Sequence, residues 1–326
     1  MPASKAVLAS LLEPLSAAAT ASSTQPRSTT PGRSIPSVRR TVVHILSTNY
    51  AGSHFLSLML GSHSRSRHLG EVHRLRNAHS VPLERLCYAC RERGSCPVFS
   101  GIAPDQVDRV YQLLFKRMDP NVTALIDASK TAHGWLERFL GDDSYDHKYI
   151  HLIRDPRALV RRWLQSRPGW PKSLRRRWRM MCAYPRQAPQ LALAPATRIL
   201  TYQWLRQNQR ISRLVEEHRL DAQLVTYHDL ALDPAGELQR LMPWLGLAYE
   251  PDQLEYWKFQ HHGSQKASYQ WVKDAPARHF DLRWQKDLAP EVQEQVIGNP
   301  EIRRYLDGLG IVVGADGLAR IPVLGR

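Results

Sequence analysis

Residues 41–54, TVVHILSTNYAGSH, run straight into the apolar FLSLML, and this junction constrains the fold more than any other stretch. TVVHIL is β-branched and apolar, the composition of a buried strand. Ala51-Gly52-Ser53 is a small-residue turn that lets the backbone pass close to a ligand, and Ser53 is placed to cap the helix that follows. A helix start behind a tight turn turns N–H groups toward an anion. The loop is therefore a candidate phosphate or sulfate site, with a plain strand-to-helix turn as the alternative. It is not the lysine-bearing loop of ATPases and kinases, because no lysine stands between Thr41 and Gly61.

The same alternation continues downstream. Thr41–Leu46, Val122–Ile126, Lys148–Ile153 and Leu224–Tyr227 read as strands. Helical patterns cover Ser53–Leu60, Asp105–Met118, Pro156–Gln165 and Tyr202–His218. Strands alternating with helices predict an α/β fold, a P-loop-like parallel sheet with helices on both faces. Ligands of such sheets bind at the carboxyl ends of strands, where residues 49–54, 127–130 and 154–157 fall.

Charge narrows the partners. The net charge is +15, a strong bias toward anions such as nucleotides, nucleic acid, acidic polysaccharide or a membrane surface. No apolar run reaches the length of a membrane span. Residues 1–40 hold Glu13 as their one acid and are rich in Ala, Ser, Thr and Pro. They read as a disordered basic tail, with a transit-like peptide as the alternative. Residues 41–315 form the expected domain and 316–326 a C-terminal tail. Without a signal anchor, a cytoplasmic location is expected.

A second anion-site candidate is HLIRDPRA, residues 151–158. Arg154 leaves a strand, and Pro156 fits the first turn of a helix. An arginine there can grip a phosphate with two parallel hydrogen bonds; a helix-capping Asp155 among solvated arginines is the alternative. From Arg154 to Arg186 eleven Arg/Lys face one acid, with RRRWR at 175–179 the densest cluster.

Taken together these residues resemble the sulfotransferases that use 3′-phosphoadenosine-5′-phosphosulfate (PAPS), from about Thr41 to Ile311. Residues 49–54, NYAGSH, resemble the family's 5′-phosphosulfate loop, P-R-S-G-T-T, and IRDPRALVRRWLQSR resembles its 3′-phosphate motif. Asp127-Ala128-Ser129-Lys130 resembles the strand-end D-x-S-K of the carbohydrate and bacterial branches. Tyr227-His228-Asp229-Leu230 with Asp233-Pro234 resembles Y-E-D-L…D-P, and Gly70-Glu71 the G-E of tyrosylprotein-type members. Cys87-x-x-Cys90…Cys96-Pro97 also recurs in bacterial relatives. Two positions depart from the family. Tyr50 stands for its loop arginine, and Arg162 for the serine eight residues after the 3′-phosphate arginine.

The resemblance implies PAPS as co-substrate, held by Tyr50, Ala51, Gly52, Ser53, His54, Phe55, Ser129, Arg154, Arg162, Tyr227 and Lys266. Tyr227 is expected near the adenine, and the polar loop His261–Lys266 is expected to close over nucleotide or acceptor. Sulfuryl transfer resembles phosphoryl transfer, an in-line attack governed by positioning and electrostatics. Glu71 is the implied base, with His54 and His73 as runners-up, and Lys130 the implied cation at the leaving group. With Tyr50 uncharged, backbone N–H groups, Ser53, His54 and Lys130 are left to face the phosphosulfate. The acceptor is a small molecule or a glycan, with lipid head groups and peptide tyrosine also open. Two other readings stand beside this one: a nucleotide-binding protein without turnover, and a basic nucleic-acid-binding protein. The second lacks a recognisable reading module.

Four cysteines in a chain this long do not make a disulfide scaffold. Cys87-x-x-Cys90 has metal-like spacing, but zinc needs four ligands, so Cys96 and a histidine such as His73 or His79 would have to join. Structural thiols or a local disulfide are the preferred reading. Cys182, beside Met181, is expected to be buried filler.

Overall fold

The structure, a computed structural model, describes residues 39–77, 87–90, 92–130, 134–166, 169–263 and 280–320, all within the compact unit Val38–Arg326. Strand β1 (Thr41–Ser47) leads through α1 (Ser53–Gly61) to β2 (Ser66–Gly70), and α2 (Val110–Lys116) leads to β3 (Ala124–Asp127). β4 (Asp146–Ile153) is followed by α3 (Pro156–Gln165), α4 (Trp170–Ala183), α5 (Ala188–Ala192) and α6 (Ala196–Glu217). β5 (Ala222–Thr226) runs into α7 (Tyr227–Leu232) and α8 (Pro234–Trp244). Beyond these lie α9 (Arg283–Asp287), α10 (Pro290–Ile297), α11 (Pro300–Gly308) and the hairpin of β6 (Ile311–Val313) and β7 (Leu318–Arg320).

β2-β3-β1-β4-β5 form one sheet, and every pairing in it is parallel. β1 sits at its centre and is buried along its whole length, as a mostly apolar strand covered on both faces should be. Side chains alternate across it. Val43 and Ile45 enter a core with Phe55, Leu56 and Met59 of α1 and Leu238 and Leu241 of α8. Val42 belongs to the opposite core with Leu69, Val110 and Leu114, and Ile153 to a third with Leu159, Trp204 and Ile302. Helices thus cover both faces, as the strand-helix alternation predicts. The chain crosses from the β3 side of β1 to the β4 side, and this reversal opens a crevice beyond their carboxyl ends.

Several elements differ from expectation. β2 carries Ser, Arg and His, so its sequence SRHLG gives no strand signal, yet it pairs with β3 as the edge of the sheet. Tyr227 begins a helix rather than ending a strand, because Thr226 caps α7 by accepting from the Asp229 N–H at 3.0 Å. Residues 318–320, expected in a tail, form β7, drawn in by Leu318, which is 1% exposed. Cys182 is exposed, since Met180 is the buried residue of α4. RRRWR lies on α4, where Arg177 Nη1 donates to the carbonyls of Leu191 and Ala194 at 2.7 and 2.8 Å. No described helix is long and apolar enough to cross a membrane.

One core feature carries a pH signature. His44 of β1 is stacked on Tyr149 and His147, with ring centroids 5.2 Å away in each case, and its Nε2 lies 2.9 Å from His147 Nδ1. Burial first, and then the neighbouring His147, hold the His44 pKa well below its usual value. The folded protein therefore refuses a proton that the unfolded chain accepts below a pH of about 6.5. Stability is full above that value and falls as pH drops through it. The expected result is that His44→Phe flattens the decline between pH 7 and 5 by up to about 1.4 kcal/mol per pH unit, read from urea unfolding at each pH.

Candidate functional site

The loops beyond the carboxyl ends of the sheet carry two groups of polar side chains, one around Arg154 at the ends of β1, β4 and β5 and one around Glu71 at the ends of β2 and β3. The first loop bends sharply before α1. Gly52 has φ +103°, a conformation glycine adopts without strain, and it rather than Ser53 occupies the cap position. Its missing side chain also serves packing, because a Cβ there would lie 2.7 Å from Cδ2 of Tyr227. The first intrahelical bond runs from the Leu56 N–H to the Gly52 carbonyl at 3.2 Å. The N–H groups of Ser53, His54 and Phe55 precede it and lack intrahelical acceptors by construction.

Arg154, leaving β4, joins this loop to the rest of the crevice. Its Nη1 donates to the Tyr50 carbonyl at 2.8 Å, and its Nη2 donates to Asp281 Oδ2 at 2.9 Å. The guanidinium carbon lies 4.1 Å from the centroid of the Tyr227 ring. Its own carbonyl accepts from Trp204 Nε1 of α6 at 2.8 Å. Two motifs a hundred residues apart in sequence thus form one place. Asp281, which follows no recognisable motif, was not foreseen. Hydrogen bonds from Arg283 chiefly, with Arg154 adding to them against the opposing effect of burial, hold its carboxyl well below the usual range.

Arg157, the second arginine of the same motif, is structural. It is 6% exposed, donates to Asp155 and to the Gly314 carbonyl at 2.7 and 3.1 Å, and stacks on Trp284 at 4.0 Å. Asp155 meanwhile caps α3 by accepting from the Arg157 N–H at 2.7 Å.

Tyr50 has φ +71° and is 47% exposed. The Arg162 guanidinium lies 4.5 Å from the centroid of its ring. The charge missing from position 50 is therefore returned from α3 by stacking rather than by sequence. Tyr227, expected beside the adenine, presents one ring face to Arg154 and an edge to Gly52.

The second group is an ionic cluster around Glu71, just beyond β2. Its carboxylate accepts from Lys130 Nζ and from Arg74 Nε at 2.7 Å, with His54 Nε2 3.5 Å away. Burial alone would raise the Glu71 pKa. The hydrogen bond from His54, the Lys130 ammonium and Arg74 outweigh it and hold the carboxyl well below its usual range. His54 is pushed down from its ordinary value, chiefly by burial, and is neutral at pH 7. His73 is lowered to about 4, again chiefly by burial.

Lys130 reaches Glu71 because β3 ends on a buried polar hub. Asp127 accepts from Tyr111 Oη at 2.7 Å, from Trp135 Nε1 at 2.9 Å and from the Ser129 N–H at 2.7 Å. It also accepts from the Ser129 hydroxyl, which in turn accepts from the His73 N–H at 3.0 Å. A hydroxyl has one proton to give. Ser129 spends it on Asp127, so the expected hydrogen bond to a phosphosulfate is not what this arrangement provides. The hub instead turns the chain so that Lys130, at φ +62°, faces Glu71. Lys266 and His79 lie outside the described residues.

Cys87, Cys90 and Cys96 are not joined by disulfides. Among the described residues the histidine beside them is His262 rather than His73. His261 turns to β2, its ring meeting that of His68 edge to face with centroids 5.6 Å apart, while its Nε2 donates to the Tyr256 carbonyl at 2.8 Å and lies 3.4 Å from Ser62 Oγ. Neither described histidine of the loop 261–266 touches Arg154 or Tyr50 by a hydrogen bond.

No protein-family model matches this sequence, and no curated protein matches it. Solved structures do. The sulfotransferase domain of the curacin biosynthetic pathway superposes with a TM-score of 0.51 at 19% identity, over 83% of this chain and 97% of that one. The sulfotransferase domain of the Synechococcus olefin synthase gives a TM-score of 0.40 at 17% identity, over 79% and 87%. The chain therefore has the fold of a sulfotransferase domain, with its parallel sheet flanked by helices.

The turn at Gly52 tolerates a side chain poorly. Gly52→Ala is expected to cost about 1–3 kcal/mol through its positive φ and the contact with Tyr227. Adding Tyr227→Leu relieves the contact but not the φ, so only part of the loss returns. Thermal melting of the two single variants and the double variant checks this.

Proposed function

We propose that this protein transfers a sulfuryl group from PAPS to a hydroxyl or amine of an acceptor. The observation that carries the reading is the convergence on Arg154. It binds the loop before α1 through the Tyr50 carbonyl while stacking on Tyr227 at the end of β5. Such a crevice suits a nucleotide with phosphates at both ends. Arg154 and Arg162 take the 3′-phosphate, and the N–H groups at the start of α1 take the 5′-phosphosulfate. The resemblance of the sequence motifs and the fold of sulfotransferase domains support the same assignment.

The reaction makes a bond from the acceptor oxygen or nitrogen to sulfur and breaks the bond from sulfur to the bridging oxygen. The acceptor proton goes to Glu71. The negative charge left on the phosphate oxygen is met by Lys130. These two tasks are linked by geometry. Glu71 paired with Lys130, Arg74 and His54 is a weak base, because each partner stabilises its charged form. When Lys130 swings to the donor's bridging oxygen, Glu71 loses a cation and becomes a stronger base. Donor binding and activation of the acceptor are thereby coupled through one ammonium group.

Calorimetry with adenosine 3′,5′-bisphosphate tests the cofactor half, and labelled PAPS with a panel of hydroxylated acceptors tests the transfer half. Arg154→Ala is expected to weaken nucleotide binding by about 1.5–3 kcal/mol, the worth of a charged hydrogen bond. Asp281→Asn removes a competing carboxylate from Arg154 and is expected to tighten binding. Failure of the intact protein to bind the nucleotide overturns the proposal. Glu71→Gln should leave nucleotide affinity intact and slow single-turnover transfer by about 10²–10⁴-fold. Binding without transfer to any acceptor returns the chain to the reading of a nucleotide-binding protein without turnover.

A further inference from the structure

Three buried cysteines and a histidine meet at a point that the transfer chemistry does not use. Cys87, Cys90 and Cys96 are 0%, 2% and 0% exposed, beside Leu69, Val72 and Leu75. His262 approaches them from the far end of the chain, just past the helical turns Pro251–Lys258. Its Nδ1 lies 3.6 Å from Cys87 Sγ, 3.4 Å from Cys90 Sγ and 3.6 Å from Cys96 Sγ. All four donor atoms fall within 4.8 Å of one another.

Hydrogen bonding does not account for this arrangement. One imidazole nitrogen can accept from a single thiol, which would make one distance short and leave the other two long. Near-equal distances to three sulfurs are what a common centre imposes. In a tetrahedral site with ordinary zinc–sulfur and zinc–nitrogen bond lengths, the sulfur-to-nitrogen edge is about 3.6 Å. Backbone groups also hold the sulfurs in place. Backbone hydrogen bonds reach the Cys87 sulfur from Cys90, and the Cys96 sulfur from Val98 and Phe99.

We propose that this protein binds one structural zinc ion through Cys87, Cys90, Cys96 and His262 Nδ1. Four protein ligands close the tetrahedron, so the site holds structure rather than activating water. The thiol protons are released to solvent as the ion binds. The ion fastens the chain after Pro251–Lys258 to the segment that follows Glu71, two stretches more than 160 residues apart, as the 166-residue separation of Cys96 and His262 requires. It is independent of the transfer reaction proposed above.

The test uses the full chain, free of any histidine tag and purified under reducing conditions. Plasma mass spectrometry is expected to find one zinc per chain, and chelation should lower the melting temperature. Titrating the metal-free reduced chain with cobalt(II) should give the thiolate charge-transfer band and tetrahedral d–d bands. His262→Ala should lose tight zinc binding, whereas His262→Cys should keep it as a four-cysteine site. The cobalt titration needs only the unmodified protein, so misfolding of a variant does not decide the outcome. Three results overturn the proposal: zinc content no higher than in a Cys87→Ser/Cys96→Ser chain with no cobalt charge-transfer band; a mass two hydrogens short in the unreduced chain, marking a disulfide within the cluster; or iron in place of zinc.

Discussion

The stack of the Arg154 guanidinium on Tyr227, with its hydrogen bond to the Tyr50 carbonyl, is the contact on which the candidate site depends. It draws together the ends of β1, β4 and β5, three parallel strands that end side by side. The arginine costs less to hold there than an isolated buried cation would, since a π face, a carbonyl and Asp281 share its charge. Gly52 makes the contact sterically available, because any side chain at that position would displace the Tyr227 ring. A substitution at Gly52, Arg154 or Tyr227 therefore disturbs all three together.

A second polar network does comparable work at the β2 and β3 ends. Asp127 is 1% exposed and accepts from Tyr111, Trp135 and Ser129. A buried carboxylate is tolerated only when its oxygens are satisfied, and here they are. The result is a rigid exit from β3 that aims Lys130 at Glu71. The ionic cluster around Glu71 rests on this foundation, as does the coupling of base strength to the position of Lys130. Arg74, three residues beyond Glu71 and next to the candidate His73, completes the cluster without having been named from the sequence.

The strand-turn-helix at Thr41 and the start of α3 at Pro156 were legible because each is written locally. An apolar run, a glycine that must take positive φ and a proline suited to a first turn need no partners to be recognised. β2 was not legible: its Ser, Arg and His residues acquire strand geometry only by pairing with β3. The hairpin β6–β7 is three residues to a strand and leaves too little pattern to read. Among site residues, Glu71, Lys130, His54 and Arg154 were named from motifs; the first three meet in one ionic cluster, and Arg154 holds the loop that leads to His54. Asp281 was missed, and His262 was assigned to a loop over nucleotide or acceptor rather than to the cysteines, because each lies far in sequence from the groups it meets. The Cys87-x-x-Cys90 spacing pointed to a histidine as the missing fourth ligand, but spacing could not say which histidine.

The sequence alone determined the class of fold, since alternating apolar strands and amphipathic helices can bury their surfaces only as a covered parallel sheet. It also determined where ligands would gather, because parallel strands place all their following loops on one side. What Tyr50 does was left to tertiary structure. By composition it removes a cation from the first loop. In three dimensions Arg162 of α3 stacks on its ring and supplies one. The role of Ser129 was likewise decided by packing, which commits its proton to Asp127. The physical reason is the same in both cases. A motif specifies which groups are present, whereas charge placement and proton allocation depend on neighbours that only the folded chain brings within a few ångströms.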